Sequence, residues 1–162
     1  MNHSSDQPMS KGEETVDKVM SKDVLAVDLN ASARDCARAM TKKGVSCAVI
    51  TEEGTAVGIV TERDLVSKVL AESIEPNKVL VRDIMSTPLI TTPPDAALVG
   101  AAEVMAQYRI RRLVVVDPSG ALSGIVTAGD IARTLAEKKQ YQDATLNAMA
   151  RYSESGDSGP YQ

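Results

Sequence analysis

Two four-residue segments hold the groups in this chain best suited to chemistry, Thr61-Glu62-Arg63-Asp64 and Thr127-Ala128-Gly129-Asp130. Each follows an apolar Gly-Ile-Val run, so each stands where a strand gives way to a helix. A hydroxyl, a carboxylate and the unsatisfied N–H groups of a first helical turn then meet at one place. The carboxylate can accept hydrogen bonds from two vicinal sugar hydroxyls, while the hydroxyl and N–H groups suit phosphate oxygens. That is the chemistry of a nucleoside phosphate. The same T-x-x-D spacing is also a variant of the capping box, in which an acidic residue reaches back to the helix cap. Taken alone, the residues leave capping and ligand binding both open.

Little else is reactive. The one histidine is His3, in a polar N-terminal stretch, so Ser-His-Asp and Cys-His couples and two-histidine zinc sites lack their essential residue. With no catalytic lysine context and no paired carboxylates at one strand end, the chain reads as a non-enzyme with no catalytic residue, metal or catalytic cofactor. Cys36 and Cys47 form no C-x-x-C pair and read as small, reduced, buried hydrophobes. Phe and Trp are absent, and Tyr141, Tyr152 and Tyr161 crowd the last quarter, which leaves single-stranded nucleic acid almost nothing to stack on. Eighteen Lys and Arg against 22 Asp and Glu give a net charge of -4, which opposes general attraction to phosphate backbones or anionic membranes. The first fifteen residues hold no apolar signal region, and no stretch approaches the roughly 18 apolar residues of a membrane span. A cytoplasmic protein with no membrane contact is expected.

The elements that must position the two segments are duplicated. Val16, Met20, Ser21 and Met40 match Val81, Met85, Ser86 and Met105 at one offset, and after a single inserted residue GIVTERD matches GIVTAGD. Ordered matches over so long a stretch indicate an internal repeat. In each copy a β-branched segment (KDVLAV, TPLITT) leads to a helix-start signal, Asn30 or Asp95. A helix follows with a small-residue face, Ala33, Cys36, Ala37 and Met40 in one copy and Leu98, Ala101, Ala102 and Met105 in the other. Gly44 closes the first of these. A strand, a Gly-containing hairpin and a second strand ending at GIVT come next, and the last helix starts at T-x-x-D. The first closing helix is expected to run to about Glu72 and the second as one helix to about Met149. The fold class is therefore α/β (α+β): two β-α-β-β-α repeats packed sheet to sheet with pseudo-twofold symmetry, because neither sheet face can be buried alone. The divisions are a disordered tail 1–14, repeat 1 at 15–75, repeat 2 at 76–136, a helical extension 137–152 and a disordered tail 153–162.

VMSKDVLAV, MTKKGVSCAVI and GIVTERDL in the first copy, with IMSTPLITT, RIRRLVVVD and GIVTAGDI in the second, resemble the CBS domain, whose pairs form the Bateman module. The resemblance implies a nucleotide between the repeats, its ribose on the Asp of one copy and its base on backbone and small side chains of the other. Carried over, Thr127 and Asp130 would face Val24, Val45, Ser46 and Cys47. Thr61 and Asp64 would face Ile90, Ile110 and Arg111. Arg112 matches a position from which a basic residue of the family often reaches phosphate. Its counterpart is Cys47, so the Asp64 cleft would rely on Arg63. Val114 departs from the proline common there.

The expected function is a stand-alone, non-catalytic sensor that binds an adenosine nucleotide (AMP, ADP or ATP) and signals through an effector protein that the sequence does not identify. A homodimer is expected from Val99, Ala106, Leu146 and Met149, which fall outside the core stripe, and the resemblance implies pairing through these same helices. Two alternatives remain. In one, the cleft takes the terminal adenosine of an RNA whose backbone meets Arg109, Arg111, Arg112, Lys42 and Lys43. In the other, the chain is a ligand-free dimerisation adaptor whose T-x-x-D segments merely cap helices.

Overall fold

The computed structural model describes residues 14–137 and 142–154. The first half holds β1 (Ala26–Asp28), α1 (Ala33–Lys43), β2 (Cys47–Glu52), β3 (Thr55–Thr61) and α2 (Glu62–Leu65), the last continuing as a π-helical turn, Val66–Leu70. After α3 (Val81–Ile84), the second half repeats the pattern with β4 (Thr91–Thr92), α4 (Leu98–Tyr108), β5 (Arg112–Val116), β6 (Leu122–Thr127) and α5 (Ala128–Glu137). A last helix, α6, covers Gln142–Glu154. Each half builds one three-stranded sheet, ordered β1-β2-β3 or β4-β5-β6, with a parallel first pair and an antiparallel second. The α/β duplication is thus the architecture of the molecule.

Val49 pairs with Ile59 in one sheet and Val114 with Ile125 in the other, and all four lie in one apolar cluster. These are equivalent positions of the two copies, and they meet where the sheets stack. Thr55 bridges Ala121, again an equivalent pair, at the same junction. On their outer sides the sheets are covered by α1 and α4, whose small inward residues, among them Ala33, Cys36, Ala101 and Ala102, are buried.

The leading segments are exchanged. The Val16 N–H donates to Ala96 and the Leu98 N–H to Glu14, tying the start of the described chain to the second half. In mirror fashion the Ala33 N–H donates to Val79 and the Val81 N–H to Ala31. Val16 accordingly sits in the core of the second half and Val81 in that of the first. Ser21 bridges Ile125 on β6, and Ser86 bridges Ile59 on β3.

The structure corrects several local expectations. Ser32, not Asn30, caps α1, its Oγ accepting from the Asp35 N–H at 3.0 Å. The equivalent residue is Ala97, not Asp95, and it makes no side-chain cap. At the other end Gly44 takes the left-handed conformation, φ 71°, that glycine tolerates best, while its counterpart Arg109 takes φ 56°. Helix α4 has thus lost both good caps, and packing with α6 compensates, burying Ala148. Restoring the first cap by Ala97→Ser, where φ and ψ already match those of Ser32, is expected to stabilise the fold by about 1 kcal/mol. A denaturant midpoint that does not rise would contradict this.

Of the expected second closing helix and its extension the structure describes Ala128–Glu137 and Gln142–Glu154, α5 and α6. Residues 138–141 between them lie outside the described set, as do 1–13 and 155–162 of the expected tails. Glu14 is tied in through its carbonyl, and α6 extends to Glu154. No described helix is long and apolar enough to cross a membrane.

Candidate functional site

A cleft of about 660 Å³ opens at the junction of the halves, a size suited to a small organic ligand. Val24, Val45, Ser46 and Cys47 line it from the first half, and Arg112, Thr127 and Asp130 from the second. Val24 precedes β1, Val45 and Ser46 follow the end of α1, and Cys47 opens β2. Arg112 opens β5, opposite, with its Nη2 donating across the junction to Ser46 Oγ at 3.0 Å. The structure therefore brings Asp130 together with all six residues expected around it.

Asp130 holds its place through a reciprocal cap. Its Oδ2 accepts from the Thr127 N–H at 3.0 Å, and Thr127 Oγ1 accepts from the Asp130 N–H at 3.1 Å. Its Oδ1 accepts from Arg133 at 2.7 Å, an ion pair whose arginine is two-thirds exposed. An ionised carboxylate offers about four acceptor positions, so these bonds leave acceptor capacity on a side chain that faces the cleft. Capping and availability coexist at Asp130.

The equivalent group on the other side is differently placed. Asp64 Oδ2 accepts from the Thr61 N–H at 2.8 Å and from Thr61 Oγ1 at 3.1 Å. Its Oδ1 accepts from Ser86 Oγ at 3.4 Å and pairs with Lys68 Nζ at 2.9 Å. Lys68 also donates to the Ile84 carbonyl at 2.8 Å. The Asp64 side chain is 7% exposed against 20% for Asp130. Ile110, which matches Val45 in the repeat, is fully buried in the core of the second half. Ile90 packs half-buried against that same core. Arg63 and Arg111 are exposed, their carbonyls accepting from Ser67 Oγ and the Ala128 N–H respectively. Of the residues expected around Asp64, Ile110 and Ile90 thus pack with the core of the second half, and Arg63 and Arg111 lie at the surface.

Several residues that bear on the site were missed from the sequence. Ser21, Asp23 and Glu62 also line the Asp130 cleft. Lys68 had a readable signal, its i,i+4 spacing from Asp64, which is that of a helical ion pair. Its counterpart by the repeat is Thr134, whose hydroxyl donates instead to the Asp130 carbonyl. The absence of that lysine in the second copy leaves Asp130 open where Asp64 is closed.

Burial pushes the Cys47 thiol up, Arg112 pulls it partly back, and Glu62 pushes it up again. Burial, with Cys47 close by, pushes Cys36 up to about 11. Both are thiols at neutral pH and poor nucleophiles. Among the described residues no cluster of three or more His, Cys, Asp or Glu could hold a metal ion.

The model of the CBS domain matches residues 16–71 and 81–137. An inosine-5'-monophosphate dehydrogenase of Korarchaeum cryptofilum is 34% identical over 123 residues, which are 76% of this chain and 25% of that enzyme. Other curated relatives are likewise matched over 12 to 34% of their length. Among solved structures, a CBS domain pair in complex with 5'-methylthioadenosine and S-adenosyl-L-methionine superposes with a TM-score of 0.70 at 31% identity. That match covers 78% of this chain and 98% of the other. A CBS domain protein of Pyrobaculum aerophilum complexed with AMP shares the fold, with a TM-score of 0.69 at 24% identity over 85% of this chain and 98% of that one.

Proposed function

The chain belongs to the CBS domain family and carries two of its domains, and from that premise we propose that it is a regulatory module binding an adenosine nucleotide in the Asp130 cleft without converting it. The single observation that carries the reading is the meeting of Asp130, with acceptor capacity to spare, and Arg112, a cation, on the walls of one cleft between the repeats. In this reading Asp130 accepts from the ribose hydroxyls. Val24, Val45 and Cys47 sandwich the base, and Arg112 supplies charge-assisted hydrogen bonds to a phosphate. The 31% identical CBS pair solved with two adenosine compounds supports that ligand class. Asp64 is satisfied internally, so one ligand per chain is the expected stoichiometry.

A homodimer remains part of the proposal. Helix α6 packs along α4, so Val99 and Ala106 are half-covered within the chain and Met149 packs against the core. Leu146, on α6, is 48% exposed, and a second group of exposed apolar side chains lies near the π-helical turn, with Val66 at 55%, Leu70 at 73% and Ile74 at 41% exposure. Grouped apolar exposure of this kind marks interfaces.

Calorimetric titration with AMP, with light scattering on the same sample, tests both statements. One AMP per chain and about twice 17.2 kDa are expected. Two equal sites per chain would overturn the asymmetric reading, and a persistent monomer would overturn the dimer. Affinity for an adenosine-ended RNA that falls steeply with salt, with none for AMP, would favour the RNA alternative.

A further inference from the structure

We infer that Glu62 is a specificity-determining residue that limits the cleft to adenosine compounds with no more than one phosphate. This deepens the proposed function and rests on it. The charges lining the cleft are Arg112 against Asp23, Glu62 and Asp130. Two of the carboxylates have their own cations, Lys43 on Asp23 at 2.6 Å and Arg133 on Asp130 at 2.7 Å. Glu62 and Arg112 are held to one residue from opposite sides. The Glu62 N–H donates to the Ser46 carbonyl at 3.1 Å, and the Arg112 guanidinium donates to Ser46 Oγ at 3.0 Å. The Cys47 thiol between them feels both charges, with opposite sign.

A ligand anion drawn to Arg112 therefore arrives beside a carboxylate. Arg112 can offset much of the charge of one phosphate, but each further phosphate adds negative charge near Glu62 with no additional cation on the cleft wall among the described residues. The asymmetry of the repeat sharpens the assignment, because Glu62 in T-E-R-D corresponds to Ala128 in T-A-G-D. The acidic group belongs to the one segment that faces Arg112 across the junction. Glu62 is exposed and its side chain takes no part in the core, so exchanging it probes the ligand and not the fold.

The test is a titration of the full chain with adenosine, AMP, ADP and ATP, free of magnesium and at constant ionic strength. AMP is expected to bind tightest of the three nucleotides, with affinity falling about threefold or more for each added phosphate. Glu62→Gln should reduce the AMP-to-ATP preference to near unity, and Glu62→Lys should invert it, both with little change for adenosine. ATP binding as tightly as AMP in the parent protein, or a preference unmoved by both substitutions, overturns this inference while leaving the nucleotide reading in place. No binding of any of the four compounds overturns both.

Discussion

Replacing Asp130 with alanine is expected to lower AMP affinity about ten- to hundredfold, because a charged acceptor shared by two ribose hydroxyls is lost, at about 1.5 to 3 kcal/mol. Asp130→Asn keeps an acceptor for the Thr127 N–H and should recover the fold's stability more fully than the affinity. Asp64→Ala should do the reverse. It removes the charged acceptor of Thr61, Ser86 and Lys68 and should cost about 1 to 3 kcal/mol of stability. AMP affinity, measured where the variant remains folded, should stay within about twofold of the parent. Calorimetry and denaturant unfolding on the two variants give this crossed pattern or refute it. Equal losses of affinity in both variants would mean that Asp64 also serves a ligand.

Gly124→Ala is the second large effect expected. A Cβ at Gly124 would lie 2.6 Å from the Ser21 carbonyl oxygen and 2.7 Å from Met20 Sδ. Backbone stands in the way, so β6 and the leading segment must separate. Overpacking of this kind costs about 1 to 3 kcal/mol, and the Ser21–Ile125 bridge is broken as well. Because Ser21 also lines the cleft, AMP affinity should fall together with stability. At Gly58, the equivalent position, the three atoms nearest a Cβ all belong to the Met85 side chain, Sδ at 2.5 Å, Cγ at 3.0 Å and Cβ at 3.2 Å. A methionine can rotate away, so Gly58→Ala should be the milder change. A Gly124→Ala protein with the parent's unfolding midpoint would refute the tight approach.

The sequence carried the architecture because a duplication states every element twice. The T-x-x-D segments, the strand endings and the small-residue faces of α1 and α4 were all readable from period and type. The residues on the Asp130 cleft were named through the resemblance to the CBS domain, carried over position by position, and the repeat supplied only the two T-x-x-D segments. The difference between Asp64 and Asp130 was legible only in the i,i+4 spacing of Lys68 from Asp64, since both carboxylates sit in the same local motif. It depends on Lys68, Ser86 and Ile84, which converge on Asp64 from a helical turn and the inter-repeat segment. The starting caps failed for a related reason. Asn30 and Asp95 are good capping types, yet the chain bends two residues later, where the exchanged segment bonds to Ala31 in one half and Ala96 in the other. The packing of α6 along α4 was not legible, because a helical stripe does not reveal which neighbour covers it.

Exchange of the leading segments also sets an order on synthesis. Residues 14–21 leave the ribosome long before their partners at Ala96, Leu98 and Ile125. The first half is no better placed, since its core waits for Val81 and Ile84. Until then a nascent chain holds two unfinished cores and a stray apolar segment, a situation that favours slow, non-local folding and invites association. Another copy's segment could fill the same slot, so the latch that unites two repeats in one chain is equally able to unite two chains. Crowded translation on one message is where that choice would first arise.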